Sequence, residues 1–270
     1  MGNFNENTRV QVPAALHLCK LGYQYLDEND IMVYDHKTNI LTDVFLRSVK
    51  RINPEVSSEE VSTLYSKVVN MADNADLGRE FYALLSANSG VKLVDFENPD
   101  NNEWHVTTEF TCHNDETDDE FRPDITCFVN GMPLAFIEVK KPNNHEGILA
   151  ERDRINMRMS KKCFHTFFNI TQLMIFSNNQ EYDNTNRVPI QGAFYCCSSL
   201  SKAFFNVFRE EDKSFVAQYP YLPLSLDIEN KVLKHRNCVV LKNLNEYQTN
   251  KQPTTPTNRI ITSMLSKERF

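Results

Sequence analysis

Apolar residues fall at helical spacing along the first third of the chain and give way to strand-like runs from about residue 91. Residues 10–21 carry apolar side chains three and four apart and stop at Gly22, a residue that takes the left-handed turn closing a helix without penalty. Tyr23 and Tyr25 then read as a short strand. Ile40, Leu41, Val44, Phe45 and Val49 repeat with a period near 3.6 and break at Asn53-Pro54, which predicts a helix over 39–52. Ser57 and Ser58 with Glu60 form an N-cap signature for a second helix to about residue 70, and 75–87 predicts a third. Nothing in this helical layer points to chemistry, and packing is its default role.

Residues 91–96 and 104–112 have strand composition and flank a turn-rich stretch, 98–102. Residues 125–129 and 134–139 are β-branched and aromatic runs joined through Asn130-Gly131, a pair suited to a two-residue hairpin turn. A helix is expected over 148–163, strands over 172–176 and 192–197, and a short helix with an aromatic face over 200–208. The expected architecture is α/β: a central mixed β-sheet of four or more strands flanked by helices, with an added N-terminal helical layer. From residue 219 the character changes. Pro220 and Pro223 lead into a mixed segment, 249–258 reads as a linker or extended arm around Pro253 and Pro256, and 260–270 begins another helical pattern.

The hairpin carries the candidate chemistry. Asp124 stands at the start of its first strand and Glu138 and Lys140 at the end of its second, so antiparallel pairing brings all three to one end of the sheet. Residues two apart on a strand share a face, so Glu138 and Lys140 point together while Val139 points into the core and leaves its backbone carbonyl as a further oxygen ligand. Mg²⁺ takes one or two carboxylates and fills the rest of its shell with water and phosphate oxygens. Asp124 and Glu138 supply those carboxylates, and Lys140 would orient a water or offset charge on a phosphorane-like transition state. The plain alternative is an exposed strand edge whose lysine deters edge-to-edge pairing.

The text RPDI, followed by VNGMPLAFIEVKKP with Glu138-Val139-Lys140 fourteen residues after Asp124, resembles the PD-(D/E)xK nucleases. Within them it is most similar to the amino-terminal endonuclease domain of type I restriction enzyme R (motor) subunits. The resemblance implies a restriction-endonuclease-like core, Mg²⁺-dependent cleavage of double-stranded DNA, and assembly with methyltransferase and specificity subunits. It places the nuclease domain at 1–218 and a linker at 219–270 leading to a motor domain, so that ATP enters only through a motor absent from this chain. In such relatives an acid on the first helix completes the metal site. Glu6 is the candidate here, beside the uncharged Gln11. Relatives also carry Gln-x-x-x-Tyr on the helix after the hairpin, where this chain has Arg152 and Asn156 instead. Two other readings stay open: a stand-alone DNA repair nuclease of the same superfamily, and a non-catalytic docking module of the same complex.

Charge narrows the picture. With 29 basic and 36 acidic residues the chain has a formal charge of −7, the wrong sign for a free-standing nucleic-acid binder, so its DNA contact is local or most affinity resides elsewhere. The most basic stretch holds Arg152, Arg154, Arg158, Lys161 and Lys162, close after Lys141, and is the preferred backbone contact; a solvated face paired with Glu151 and Asp153 is the alternative. Asp115, Glu116, Asp118, Asp119 and Glu120 read as a solvated acidic loop before Arg122, whose partner is either these acids or DNA. His105 and His113 lack nearby partner ligands, His145 is not needed as a base, and Gln172 and Asn178 could reach the rim of the site. Seven cysteines, Cys238 among them, without a CxxC pair speak against a disulfide framework or structural zinc. No apolar run approaches a membrane span and no signal peptide is evident, so a cytoplasmic protein is expected. None of the seven glycines precedes a lysine, so no phosphate-cradling loop is present.

Overall fold

The computed structural model describes residues 6–31, 33–87, 89–114, 117, 119–142, 144, 146–182, 190–209, 213–236 and 255–270. Asp115, Glu116, Asp118, His145, Cys238 and the proline-containing stretch 249–254 lie outside them. The chain folds as an α/β structure around a seven-stranded mixed sheet whose spatial order follows the sequence: β1 (Gln24–Tyr25), β2 (Trp104–Thr108), β3 (Ile125–Val129), β4 (Met132–Val139), β5 (Leu173–Ser177), β6 (Ala193–Cys197) and β7 (Asn206–Val207). β1 and β2 pair in parallel, as do β4 and β5, and the other neighbours are antiparallel. The architecture agrees with the expected restriction-endonuclease-like core.

Helices cover both faces. α1 (Val12–Lys20), preceded by a π-helical turn at Asn7–Gln11, lies on one face in the same apolar cluster as Val106, Ile125, Ile137, Val139 and Ile175. α2 (Thr42–Ile52), α3 (Ser58–Ala72) and α4 (Arg79–Leu85) form the N-terminal helical layer, which contributes Phe45, Val49, Val68 and Phe81 to that cluster. The capping box is present: Ser57 accepts from the Glu60 amide, and Glu60 accepts from the Ser57 amide. On the other face α5 (Gly147–Met159) and α6 (His165–Ile170) enclose Phe121, Phe128, Phe136, Phe167, Phe168 and Phe176. The chain continues through α7 (Lys213–Gln218), α8 (Leu226–His235) and α9 (Pro256–Leu265). α8 and α9 both pack on α1, and Val232, Ile260, Ile261 and Leu265 are buried in its core. Residues 255–258, read from the sequence as linker, are the start of α9, which Thr255 caps by accepting from the Asn258 amide. Among the described residues no helix is long and apolar enough to cross a membrane.

Two expected elements are absent. Residues 91–96 form bends, not a strand, because side-chain amides satisfy their backbone: Asn53 bonds both the N–H and the carbonyl of Lys92, Asn130 donates to the Leu93 carbonyl, and Asn102 accepts from Asp95. Residues 200–208 hold no helix; Asn156 takes the Ala203 amide, and Asn206 and Val207 pair with β6 as an edge strand. The strand expected over 104–112 ends at Thr108, where Glu109 turns to φ 52, and Cys112 pairs separately with Phe121.

The β3–β4 turn starts the pairing, and an irregularity between Cys127 and Phe128 then shifts it by one residue to the register on which the site depends, Ile125 opposite Ile137. Asn130 and Gly131 both have positive φ, 49° and 80°, as a two-residue hairpin turn of this type requires. Gly131 also abuts α2: a Cβ there would lie 2.5 Å from the Leu41 carbonyl oxygen and 2.8 Å from the Phe45 nitrogen, both backbone atoms. Gly131→Ala is therefore expected to destabilise the fold by about 2 kcal/mol or more, read as a lower urea midpoint.

A second prediction concerns the α1–α9 contact. His17 is buried on α1 with Nε2 2.7 Å from Thr262 Oγ1, and burial, aided by Lys20, lowers its pKa to about 3. The folded state thus refuses a proton that the unfolded chain accepts near pH 6.5. Stability from this group is present above that pH and is lost as pH falls toward 3, by at most about 1.4 kcal/mol per pH unit. His17→Gln should lose less stability than wild type between pH 6.5 and 4.5 in urea titrations at each pH.

Candidate active site

The hairpin register delivers the candidate residues to one end of the sheet. Ile125 pairs with Ile137, so Asp124, one residue before β3, lies level with Glu138 near the end of β4. Asp124 Oδ2 accepts from the Val139 amide at 2.8 Å, which fixes the carboxylate against the strand carrying the other two residues. The Asp124 carbonyl accepts from Gln11 Nε2 at 2.9 Å and from the Glu109 amide at 3.1 Å, so its backbone is held as well. Gln11 in turn accepts from Arg236 Nε at 3.1 Å, and Arg236 also pairs with Glu109. Lys140 N donates to the Ser177 carbonyl at 2.8 Å and ties the end of β4 to β5.

Lys140 sits at the centre of the acidic groups. Its Nζ donates to the Val139 carbonyl at 2.8 Å and lies 3.1 Å from Glu151, 3.6 Å from Glu6 and 3.8 Å from Asp124. Glu138 completes the cluster: its carboxyl interacts electrostatically with Asp124, Glu151 and Lys140. Glu138 and Lys140 are 5% and 9% exposed, so these are buried groups and not the exposed strand edge of the plain alternative.

Burial sets the electrostatics. It pushes the Glu138 pKa well above the ordinary carboxylate range, with Asp124 and Glu151 adding repulsion. Burial also raises Asp124 and Glu6 against the opposing pull of Lys140. For Lys140 burial acts downward, but Asp124, Glu151, Glu138 and Glu6 outweigh it and leave the ammonium strengthened. Glu138 Oε1 is buried without a hydrogen-bond partner. A carboxylate oxygen left in that condition beside a second carboxylate is short of a cation.

Among the described residues no three His, Cys, Asp or Glu side chains form a ready-made metal cage. The donor set is smaller and harder: the Asp124 and Glu138 carboxylates with the Val139 carbonyl, all oxygen, as Mg²⁺ prefers. Glu6 lies on the Lys140 side, where it also accepts from the Lys141 amide at 3.2 Å.

The basic residues expected to meet DNA are mostly engaged. Arg152 pairs with Asp153 and lies over Phe205, Arg154 pairs with Glu151, Arg158 lies 3.8 Å from Glu151 and over Phe121, and Lys161 pairs with Asp119 at 2.5 Å. Arg154 nevertheless keeps 53% of its side chain exposed, and Lys141 is exposed. Lys162 is exposed beside them. Arg122 faces Glu109 at 4.0 Å. His105 is buried near Glu103, and burial lowers its pKa to about 4; His113 stacks on His36 at 4.6 Å. The Asn178 side chain accepts from the Gly192 and Gln180 amides as a turn residue, and Gln172 donates to the Ile170 carbonyl.

Glu151 is the site residue that the sequence reading missed. It does pair with the helix arginines Arg154 and Arg158, but on a buried face and not a solvated one: it is 3% exposed and makes the shortest carboxylate contact to Lys140. The signal was its place on α5, where one face must cover the sheet end that bears Glu138.

Comparison with known proteins agrees with the hairpin motif. Over 200 residues the chain is 29% identical to a protein of Methanocaldococcus jannaschii named as the type I restriction enzyme MjaIXP endonuclease subunit, covering 66% of this chain and 19% of that protein. It is 27% identical over 164 residues to the type I restriction enzyme HindI endonuclease subunit of Haemophilus influenzae, covering 51% of this chain and 15% of that one. The matched region thus spans under a fifth of either relative. Residues 3–187, more than half of the chain, match the family described as type I restriction enzyme R protein N terminus, and the chain belongs to that family.

Proposed function

We propose that this chain is the Mg²⁺-dependent endonuclease portion of a type I restriction enzyme R subunit, hydrolysing phosphodiester bonds of double-stranded DNA. The observation that carries the reading is the convergence of Asp124, Glu138 and Lys140 at one strand end, with Glu138 Oε1 buried and unpartnered. Asp124, Glu138 and the Val139 carbonyl would hold the metal, which when bound supplies Lewis-acid polarisation of the phosphate and a more acidic water. Asp124 is pre-set for this by the Val139 amide, and its backbone by Gln11 and Glu109. Lys140 brings a fixed positive charge to the side of the site where charge builds on the phosphoryl oxygens, and its burial lets that charge act with little solvent screening. Arg154, Lys141 and Lys162 are exposed to take backbone phosphates, with the partly covered Arg152, Arg158 and Lys161 beside them. Target choice and ATP-driven translocation belong to other parts of the complex, the specificity and methyltransferase subunits and a motor beyond this chain.

Asp124→Ala, Glu138→Ala and Lys140→Ala should each lower DNA cleavage by the assembled restriction enzyme about 100-fold or more, while ATP-driven translocation continues. Cleavage near the wild-type rate by Glu138→Ala would exclude the assignment.

The same site predicts a stability gain. Replacing Glu138 by Gln removes a buried ionisable group from beside Asp124 and Glu151, and in metal-free buffer at pH 8 it should raise the melting temperature by about 2–6 °C. The sign follows from the raised folded pKa: above the ordinary carboxylate range the wild-type fold must either hold the ionised form it disfavours or take a proton from solvent, and glutamine requires neither. Added Mg²⁺ should raise the melting temperature of wild type and leave Glu138→Gln unmoved.

A further inference from the structure

Glu151 lies on α5, a different element from the hairpin, yet its carboxylate reaches the hairpin's lysine. Oε2 is 3.1 Å from Lys140 Nζ and also takes Arg154, while Oε1 is 3.8 Å from Arg158. Arg158 is held again by the Phe121 ring, 4.6 Å from its guanidinium carbon. The carboxylate is therefore an anchored anion, fixed from the helix side by two arginines and presenting one oxygen to Lys140.

Lys140 has need of such an anchor. Its stem is flexible, and holding it in one rotamer costs conformational freedom. Two of its three carboxylate neighbours within 4 Å offer uncertain support during the reaction. Asp124, at 3.8 Å, is a ligand of the metal on the reading proposed above, so a divalent cation would draw on the same charge and repel the ammonium. Glu6, at 3.6 Å, is one-third exposed and divides its carboxylate with the Lys141 amide. Glu151 is nearest, almost fully buried and outside the proposed ligand set.

We propose that Glu151 is a positioning residue for the nuclease reaction: as the anion shared between Lys140 and the arginines of α5, it holds the Lys140 ammonium in place while a divalent cation occupies the Asp124–Glu138 carboxylates. The role rests on the nuclease reading of Asp124, Glu138 and Lys140. Glu151 does not touch the reacting atoms, so its loss should slow cleavage without weakening DNA binding.

The test compares Glu151→Gln, which keeps shape and removes charge, with Glu151→Asp, which keeps charge and withdraws it by one methylene. Cleavage by the assembled enzyme is measured at saturating DNA, alongside DNA affinity in metal-free buffer and the melting temperature. Glu151→Gln is expected to cleave about 10-fold or more slowly, Glu151→Asp at an intermediate rate, with DNA affinity unchanged in both. A wild-type rate from either folded variant, while Asp124→Ala and Lys140→Ala are inactive, overturns the role of Glu151 and leaves the nuclease reading standing. A defect that disappears at saturating DNA reassigns Glu151 to binding and overturns it as well. If the Gln variant does not fold, the Asp variant decides, and failure of both to fold makes Glu151 a purely structural residue. Full cleavage by Lys140→Ala would remove the nuclease reading and this one together.

Discussion

Carboxylates repel one another, and the repulsion grows when water is withdrawn; this fold nonetheless draws Glu6, Asp124, Glu138 and Glu151 together at one end of its sheet. A single ammonium, Lys140, stands within 4 Å of three of them and is electrostatically coupled to the fourth. That balance is incomplete. Burial leaves Glu138, Asp124 and Glu6 all harder to ionise than free carboxylates, and one oxygen of Glu138 has nothing to bond. Such an arrangement persists only if the surrounding backbone cannot relax away from it.

The supporting structure is rigid on three sides. Below, the hairpin is anchored at a turn whose Asn130 is fully buried and bonded to the Glu103 amide, the Leu93 carbonyl and Asn102, and whose Gly131 admits no side chain against α2. On the sheet side, β4 is flanked by β3 and β5, and its last peptide is tied to Ser177. On the helix side, α5 closes over the phenylalanine cluster and brings Glu151 with it. The β3–β4 pairing shifts by one residue between Cys127 and Phe128, and without that shift Asp124 would lie opposite Ile137 and not Glu138, turning the two carboxylates to opposite faces of the sheet.

The sequence announced the parts of this arrangement that depend on local chemistry. The Asn130-Gly131 turn and the alternation through Ile137, Glu138 and Val139 pointed Asp124, Glu138 and Lys140 to one end of the sheet, but the one-residue shift between Cys127 and Phe128 that sets Asp124 level with Glu138 was not legible. Long-range choices were not legible. Residues 91–96 have the composition of a strand, but the amides of Asn53, Asn102 and Asn130, distant in sequence, take their backbone groups first. Residues 200–208 have helical content, yet β6 offers an edge that Asn206 and Val207 complete. Glu151 followed by Arg154 has the spacing of an ordinary surface pair, and only the packing of α5 over β4 reveals that the pair is buried on one side and meets a lysine.

The family match ends at residue 187, but the physical support of Asp124 does not. Arg236, at the end of α8, reaches back to Gln11 and Glu109, the two residues that hold the Asp124 carbonyl, and its own carbonyl accepts from Asn7. α9 lies against the other end of α1, joined through His17 and Thr262 and through the Tyr23 hydroxyl donating to Leu265. α1 and the turn before it carry Glu6 and Gln11, so the helices beyond residue 225 clamp the element that presents one acid to Lys140 and one hydrogen bond to Asp124. Removing those helices would expose Val232, Ile260, Ile261 and Leu265 together with the apolar surface of α1 they now cover. A fragment cut at the end of the matched family would therefore lose core as well as support for Asp124, and weak activity in such a fragment would reflect the missing clamp before it reflected the chemistry of the site.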